Sequence, residues 1–295
     1  MAKARAIVKR RKAVRNIKKI TKTMQMIATA KFQKSLRRAT GTKPYTQKVR
    51  ELVQELAASI GDIEHPLLRR PTDADRKRRI ALIVLTSNRG LAGAYNGSVL
   101  RAANAFLKQQ AADGISVDLY VGGKKGASYF NFQKRPISQR LDLGDAPKFE
   151  DVEKVANEVM DKFIKGEIDA VYVAYMNFVS ASNQKPEVLN LLPLAGVKAE
   201  GKSAATQVQT VYEFSPSAKE LLDELLPQTV KSALFQAFLD ATTSEHVARM
   251  VAMKSATDNA DKMVKSLTMQ YNRARQSQIT TELSEIMGGV EAMKA

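Results

Sequence analysis

The sequence of 295 residues contains no cysteine, no tryptophan and only two histidines, His65 and His246. The absence of cysteine excludes disulfides, thiolate metal sites and cysteine nucleophiles. Two histidines are too few for a metal cluster built from imidazole ligands. No apolar run approaches the roughly 18 residues that span a bilayer, and no apolar stretch typical of a secretory signal follows the N-terminal charges. We therefore expect a protein of a reducing cytoplasm.

Acidic residues are missing from the first 50 positions, which hold 17 of the 47 lysines and arginines. The remaining 30 basic residues balance the 30 acidic ones, so the formal charge of +17 lies in this first segment. Nucleic acid, an anionic membrane and an acidic protein surface all fit such a segment. Its only aromatics are Phe32 and Tyr45 and it holds no nucleic-acid motif, which argues against the first two partners. Periodicity alone does not separate the three.

Glycine and proline are absent from residues 2–40 and from residues 228–287. Apolar side chains in the first stretch recur at alternating gaps of 4 and 3, at Ala13, Ile17, Ile20, Met24 and Ile27. Small and apolar side chains in the second follow the same gaps, at Val230, Leu234, Ala237, Ala241, Ser244, Ala248, Val251 and Ser255. This spacing predicts two long helices, each with a narrow seam. We expect them to pair as an antiparallel coiled coil, with a bend or brief interruption near Gly41 and Pro44.

Strand and helix patterns alternate between these two helices. Strands are predicted at 79–86, 117–121, 170–175, 188–192 and 208–214, and helices at 97–112, 124–132 and 149–165. Such alternation favours a mostly parallel, wound sheet. The predicted fold class is α/β: an antiparallel two-helix coiled coil from both chain termini with an inserted α/β domain. The predicted segments are 1–65, 66–214 and 215–295.

Two glycine-rich loops resemble phosphate-binding loops, Thr86–Gly97 after the first strand and Gly122–Gly126 after the second. Neither has the glycine spacing of a dinucleotide-binding or Walker loop. Structural turns with close backbone approach are the favoured interpretation, and an α/β enzyme with a ligand in the first loop is the alternative. No convincing pair of carboxylates for acid–base work is present. We therefore predict no catalytic residues, no cofactor and no metal.

Short stretches of the sequence indicate the class of protein. Residues 19–31, 86–96, 249–259, 271–276 and 279–286 resemble, in order, motifs of the γ subunit of F-type ATP synthase. The resemblance covers essentially the full chain and implies that the inserted domain is Rossmann-like. Asn88 and Ala92 stand where the family usually has Asp and Cys. The cysteine-bearing insertion of the chloroplast form is absent and no transit peptide precedes the match, which favours a bacterial chain.

The resemblance implies a non-catalytic rotor subunit of the central stalk, which couples proton-driven rotation to ATP synthesis and hydrolysis in the β subunits. It also implies that the subunit regulates ATPase activity and proton flow. Implied partners are the α and β subunits of a catalytic hexamer, the ε subunit and the ring of c subunits, and not nucleic acid. The implied location is peripheral, at the cytoplasmic face of a bacterial inner membrane, with membrane contact only through the assembled complex. The expected partner of the basic helix is then a set of acidic loops of the β subunits that surround it, which we call the collar.

Family positions also assign residue roles, as expectations. Contacts between rotor and catalytic ring are expected at Met24, Arg249, Arg275, Gln276 and Thr280. A basic surface facing the collar is expected at Lys9, Lys12, Lys18 and Lys22. Tyr212 and Phe214 are expected to face the ring of c subunits. Residues 286–293, apolar and small, suit a sleeve at the top of the stalk.

Overall fold

The computed structural model of the chain describes residues 2–60, 65–69, 78–142, 144–194 and 218–293. Two long helices begin and end the described chain: α1, Ala2–Ile60, and α5, Ala218–Ala292. Between them in sequence, the described residues form a 3₁₀ helix at Pro66–Leu68, five strands and three α-helices: β1 Arg79–Leu85, α2 Tyr95–Ala112, β2 Ser116–Gly122, α3 Lys124–Phe132, β3 Gln139–Leu141, α4 Phe149–Ile164, β4 Ala170–Phe178 and β5 Gln184–Leu192. Helix α1 continues through Gly41 and Pro44, so the expected interruption there is wrong.

The five strands form one sheet in the order β3-β2-β1-β4-β5. Strand β1 pairs in parallel with β2 and β4, β2 pairs in parallel with β3, and β5 pairs antiparallel with β4. The central strand is buried from Ile80 to Leu85 because side chains cover both faces of the sheet. The predicted fold class is confirmed. The strand predicted at 208–214 lies outside the described residues.

Alternation along β1 divides the core between the two faces of the sheet. Ala81, Ile83 and Leu85 pack with buried residues of α4 and α5. Leu82 and Val84 pack with buried residues of α2 and α3. The sheet therefore has helices on both faces, as expected for a wound α/β domain.

Contacts divide the chain into two compact units. The sheet unit comprises residues 31–248, and the helical unit comprises 1–30 together with 249–295. Within the helical unit the two helices run antiparallel, because Arg11 lies over the ring of Tyr271 while Thr21 contacts Thr257. The predicted segment boundaries at 65/66 and 214/215 adjoin undescribed residues and stay a prediction.

The seam of α1 in the helical unit differs from the predicted one. The buried positions follow a seven-residue spacing at Val14, Thr21 and Ala28. The hydroxyl of Thr257 donates to that of Thr21 over 2.8 Å, and Met253, Ala260 and Leu267 are the buried apolar positions of α5. The buried side chains of α1 are smaller than isoleucine, which lets the two helices approach closely, whereas the isoleucines of the predicted seam point elsewhere.

The seam predicted for α5 is confirmed over its first part and wrong over its last. Val230, Leu234, Ala237, Ala241 and Ser244 are buried in the sheet unit. Val251 is 54% exposed and Ser255 is exposed. In the helical unit the buried positions of α5 are 253, 257, 260 and 267, so the seam there lies two residues beyond the predicted positions 251 and 255.

Candidate functional site

A row of apolar side chains on α1 is exposed in the helical unit. Ile17, Ile20 and Ile27 are 52%, 59% and 53% exposed, and Ala13 is exposed while Met24 is half-buried. We call these five residues the apolar ridge. They were predicted to be the buried seam, and that prediction is wrong for Ala13 and the three isoleucines. The same 4–3 spacing that favoured a buried seam now describes a continuous face open to a partner.

Exposed basic side chains share helix α1 with the apolar ridge. Of the four predicted lysines, Lys9, Lys12 and Lys22 are exposed. Lys18 is half-buried and forms an ion pair with Asp261 of α5. Lys9 lies one helical turn before Ala13 and therefore continues the line of the ridge. In this unit α1 thus exposes an apolar line together with positive charges that are distributed around the helix.

The last turns of α5 carry a second exposed apolar face. Ile279, Leu283, Ile286 and Val290 are exposed by 42–66% and follow gaps of 4, 3 and 4. Residues 286–293 were predicted to suit a sleeve, but the start of the pattern at Ile279 was missed, although its spacing was legible in the sequence. A Cβ added at Gly288 or Gly289 would meet no other side chain and no other part of the chain within 4 Å. This end of the helix therefore offers an exposed apolar surface that includes two residues without side chains.

The predicted contact residues of α5 differ in exposure. Arg275, Gln276 and Thr280 are exposed, and the Thr280 hydroxyl donates to the Gln276 carbonyl over 3.0 Å. Arg249 is only 9% exposed. Contacts of these residues and of Met24 with a catalytic ring stay a prediction. Tyr212 and Phe214 lie outside the described residues.

The two glycine-rich loops meet each other at the carboxyl ends of β1 and β2. The Thr86 hydroxyl donates to the Gly122 carbonyl over 2.7 Å and accepts from the Gly126 amide over 2.8 Å. Gly123 has φ +89°, and a Cβ there would lie 2.1 Å from the Thr86 carbonyl oxygen. The predicted close backbone approach is confirmed.

A cavity of about 40 Å³ lies beside these loops in the sheet unit. Thr86, Gly123 and Asp145 line one side, and Phe238 and Thr242 of α5 line another. Ligand pockets for small molecules and cofactors are usually about 300–1,000 Å³. The cavity at this end of the sheet is far smaller than that, and α5 side chains line part of it.

Asp145 joins the loops to α1 within the sheet unit. Its carboxylate accepts from Lys31 over 3.0 Å and lies 3.9 Å from Arg89. The hydrogen bond from Lys31 is the main reason that the pKa of Asp145 is lowered. These contacts fix the loop after β1 against the helix.

Among the described residues, no group of three or more histidines, aspartates or glutamates is placed to hold a metal ion. In the same part of the chain, no helix is long and apolar enough to span a bilayer.

Comparison with known proteins identifies the family. The model of the ATP synthase family matches residues 3–293. The ATP synthase gamma chain of Rhodopirellula baltica is 44% identical over the whole of both chains. That of Nocardioides sp. is 40% identical over 96% of this chain and 93% of its own. The chain belongs to the family of ATP synthase gamma chains.

Solved structures give the same fold at low identity. The rotor of Euglena gracilis mitochondrial ATP synthase in rotational state 1 matches with a TM-score of 0.63 and 18% identity, over 94% of this chain and 99% of that one. A second structure of the same ATP synthase, titled OSCP/F1/c-ring and in rotational state 3, matches with a TM-score of 0.66 and 20% identity. The match covers 99% of this chain and 95% of that one. The chain therefore shares its fold with a chain of each of these ATP synthase structures.

Proposed function

We propose that this chain turns inside a ring of catalytic subunits and couples proton-driven rotation to ATP synthesis. The observation that carries the proposal is the exposed apolar ridge of α1 in the helical unit. It lies in a segment that is rich in basic residues and contains no acidic ones. An exposed apolar face of this length is typical of an interaction site rather than of a monomer surface. Family membership supplies the partner class, a hexamer of alternating α and β subunits.

The chemistry of these surfaces suits a partner that moves past them. Apolar contact is non-directional, so the ridge can meet a continuous apolar collar at many angles. Positive charge acts over a Debye length of about 8 Å at physiological salt. The basic face is therefore attracted to acidic loops of the β subunits without needing one fixed pairing. The exposed end of α5 would turn in a sleeve at the top of the same ring.

The chain itself supplies torque and conformational coupling, and ATP is made at the β subunits. The sheet unit would dock the ε subunit and, near Tyr212 and Phe214, the ring of c subunits. Its place is peripheral, at the cytoplasmic face of a bacterial inner membrane, and it reaches the membrane only through the assembled complex. The tight junction of Thr86, Gly123 and Gly126 supports a structural rather than catalytic role for the loops.

Charge removal tests the collar. We expect Lys9, Lys12 and Lys22→Gln together to weaken assembly with the α and β subunits and to reduce its dependence on salt, because three exposed positive charges are lost. Co-expression followed by size-exclusion chromatography at several salt concentrations measures both. The matched control replaces three exposed lysines of the sheet unit, Lys108, Lys154 and Lys165, with Gln. Equal behaviour of the two triple variants would rule out an electrostatic collar at this face.

The polar contacts of α5 are tested separately. We expect Gln276 and Thr280→Ala together to change the ATP hydrolysis rate of the assembled complex several-fold, since each lost hydrogen bond contributes about 1 kcal/mol. Thr281→Ala is the control, because its hydroxyl donates to Ser277 just as that of Thr280 donates to Gln276. The assignment fails if the double variant and the control hydrolyse ATP at the wild-type rate.

A further inference from the structure

A buried carboxylate lies where α1, α5 and the sheet meet within the sheet unit. Asp240 of α5 is only 4% exposed. Lys43 of α1 holds its Nζ 3.8 Å from the Asp240 carboxylate. The same ammonium donates to the carbonyl of Phe178, at the end of β4, over 3.2 Å. One lysine thus connects both long helices and the sheet.

A glutamine extends this connection. Gln236 donates through Nε2 to Oδ1 of Asp240 over 3.0 Å. Its Oε1 accepts from the Thr42 hydroxyl over 3.0 Å. Asp240 is therefore linked to α1 twice, once through Lys43 and once through Gln236 and Thr42.

The charges around Asp240 do not offset the effect of burial on its pKa. Lys43 faces it from α1, Glu187 from β5 and the buried phenol of Tyr175 from β4. Desolvation raises the pKa of Asp240 to about 6, with Glu187 adding to the rise and Lys43 and Gln236 opposing it. Burial also raises the pKa of Tyr175, so that side chain remains neutral. The carboxyl group is thus the one that changes charge near neutral pH.

We propose that Asp240, Lys43, Gln236 and Glu187 form a proton-responsive joint, which holds α1 and α5 to the sheet more tightly in acid than at neutral pH. The inference goes beyond the rotor role, because it concerns the chain by itself. The folded joint prefers the neutral carboxyl, and opening returns Asp240 to water, where its pKa is near 3.9. The stability from this preference is present in acid and is lost as pH rises through about 6.

Unfolding of the full chain by urea, followed from pH 5 to pH 7.5, tests the joint. We expect the unfolding equilibrium constant of the wild type to rise, relative to Asp240→Asn, on the order of tenfold over this range. Asp258→Asn, at an exposed position of the same helix, should follow the wild type. Hydrogen exchange at residues 39–46 should show the same pH-dependent difference locally. Parallel profiles for the wild type and Asp240→Asn would overturn the proposal.

Substitutions of two residues near Asp240 test its control of the pH profile even if Asp240→Asn does not fold. Glu187→Gln removes a like charge and should move the midpoint of the pH profile to lower pH. Lys43→Gln removes the opposite charge and should move it to higher pH. Midpoints that remain at the wild-type value in both variants would show that Asp240 does not control the joint.

Discussion

Gly123→Ala is expected to lower the free energy of unfolding by about 3 kcal/mol or more. The added Cβ would lie 2.1 Å from the carbonyl oxygen of Thr86 and 2.8 Å from its hydroxyl. Positive φ adds strain, since left-handed backbone costs other residues roughly 1–2 kcal/mol. Thr86 cannot retreat without losing its hydrogen bonds to Gly122 and Gly126. The junction between the loops after β1 and β2 would open.

Gly144→Ala is the matched control for this substitution. Gly144 has φ +67°, but nothing lies within 4 Å of the position of its missing Cβ. We expect only the backbone strain, roughly 1–2 kcal/mol. Urea unfolding of both variants separates the two contributions. Equal losses would mean that close approach to Thr86 is unimportant.

Replacing Ile17, Ile20 and Ile27 with Gln is expected to leave the isolated chain stable but to prevent firm assembly. Each side chain is about half exposed, so a partner that covers it gains about 1 kcal/mol per residue. The three together then correspond to roughly 100-fold in the binding constant. Unfolding by urea reports on the chain, and co-elution with the α and β subunits reports on assembly.

Leu267→Ala gives the opposite result if the ridge and the seam are correctly distinguished. Leu267 is 5% exposed and packs with Val14 and Ala260 in the helical unit. Its truncation should cost about 2–4 kcal/mol of stability, without removing any exposed contact surface. A ridge variant that unfolds as readily as Leu267→Ala would show that the isoleucines are buried in solution.

The sequence predicts β1, β2, β4 and β5 at their observed places, and the apolar runs of β1 and β4 are the clearest of them. It missed β3, Gln139–Leu141, because three residues are too few to show a strand pattern. The sequence did not predict which face of α1 is buried in the helical unit. Both Ile17–Ile20–Ile27 and Val14–Thr21–Ala28 have helical spacing, and apolarity favours the first set. Close packing of two helices instead selects the smaller side chains, a choice that depends on the partner helix. Apolar periodicity therefore predicted the helix but not the face that it buries.

The functional features divide in the same way. The acid-free first segment is visible in the sequence alone. Gln276 and Thr280 were named only through the family resemblance, and their contacts stay a prediction. Asp240 was not singled out, although it stands between Leu239 and Ala241 in a stretch of mostly apolar residues. Its significance depends on Lys43, almost 200 residues away, and only folding brings the two together.

Rotation of the chain inside its assembled complex tests the central claim most directly. Phe132 is 88% exposed on α3 of the sheet unit, and the chain has no cysteine. Phe132→Cys therefore introduces a single thiol for a bead, while the catalytic hexamer is fixed to a surface. We predict ATP-driven, stepwise rotation of the bead in one direction. Steady ATP hydrolysis with a stationary bead would contradict the account.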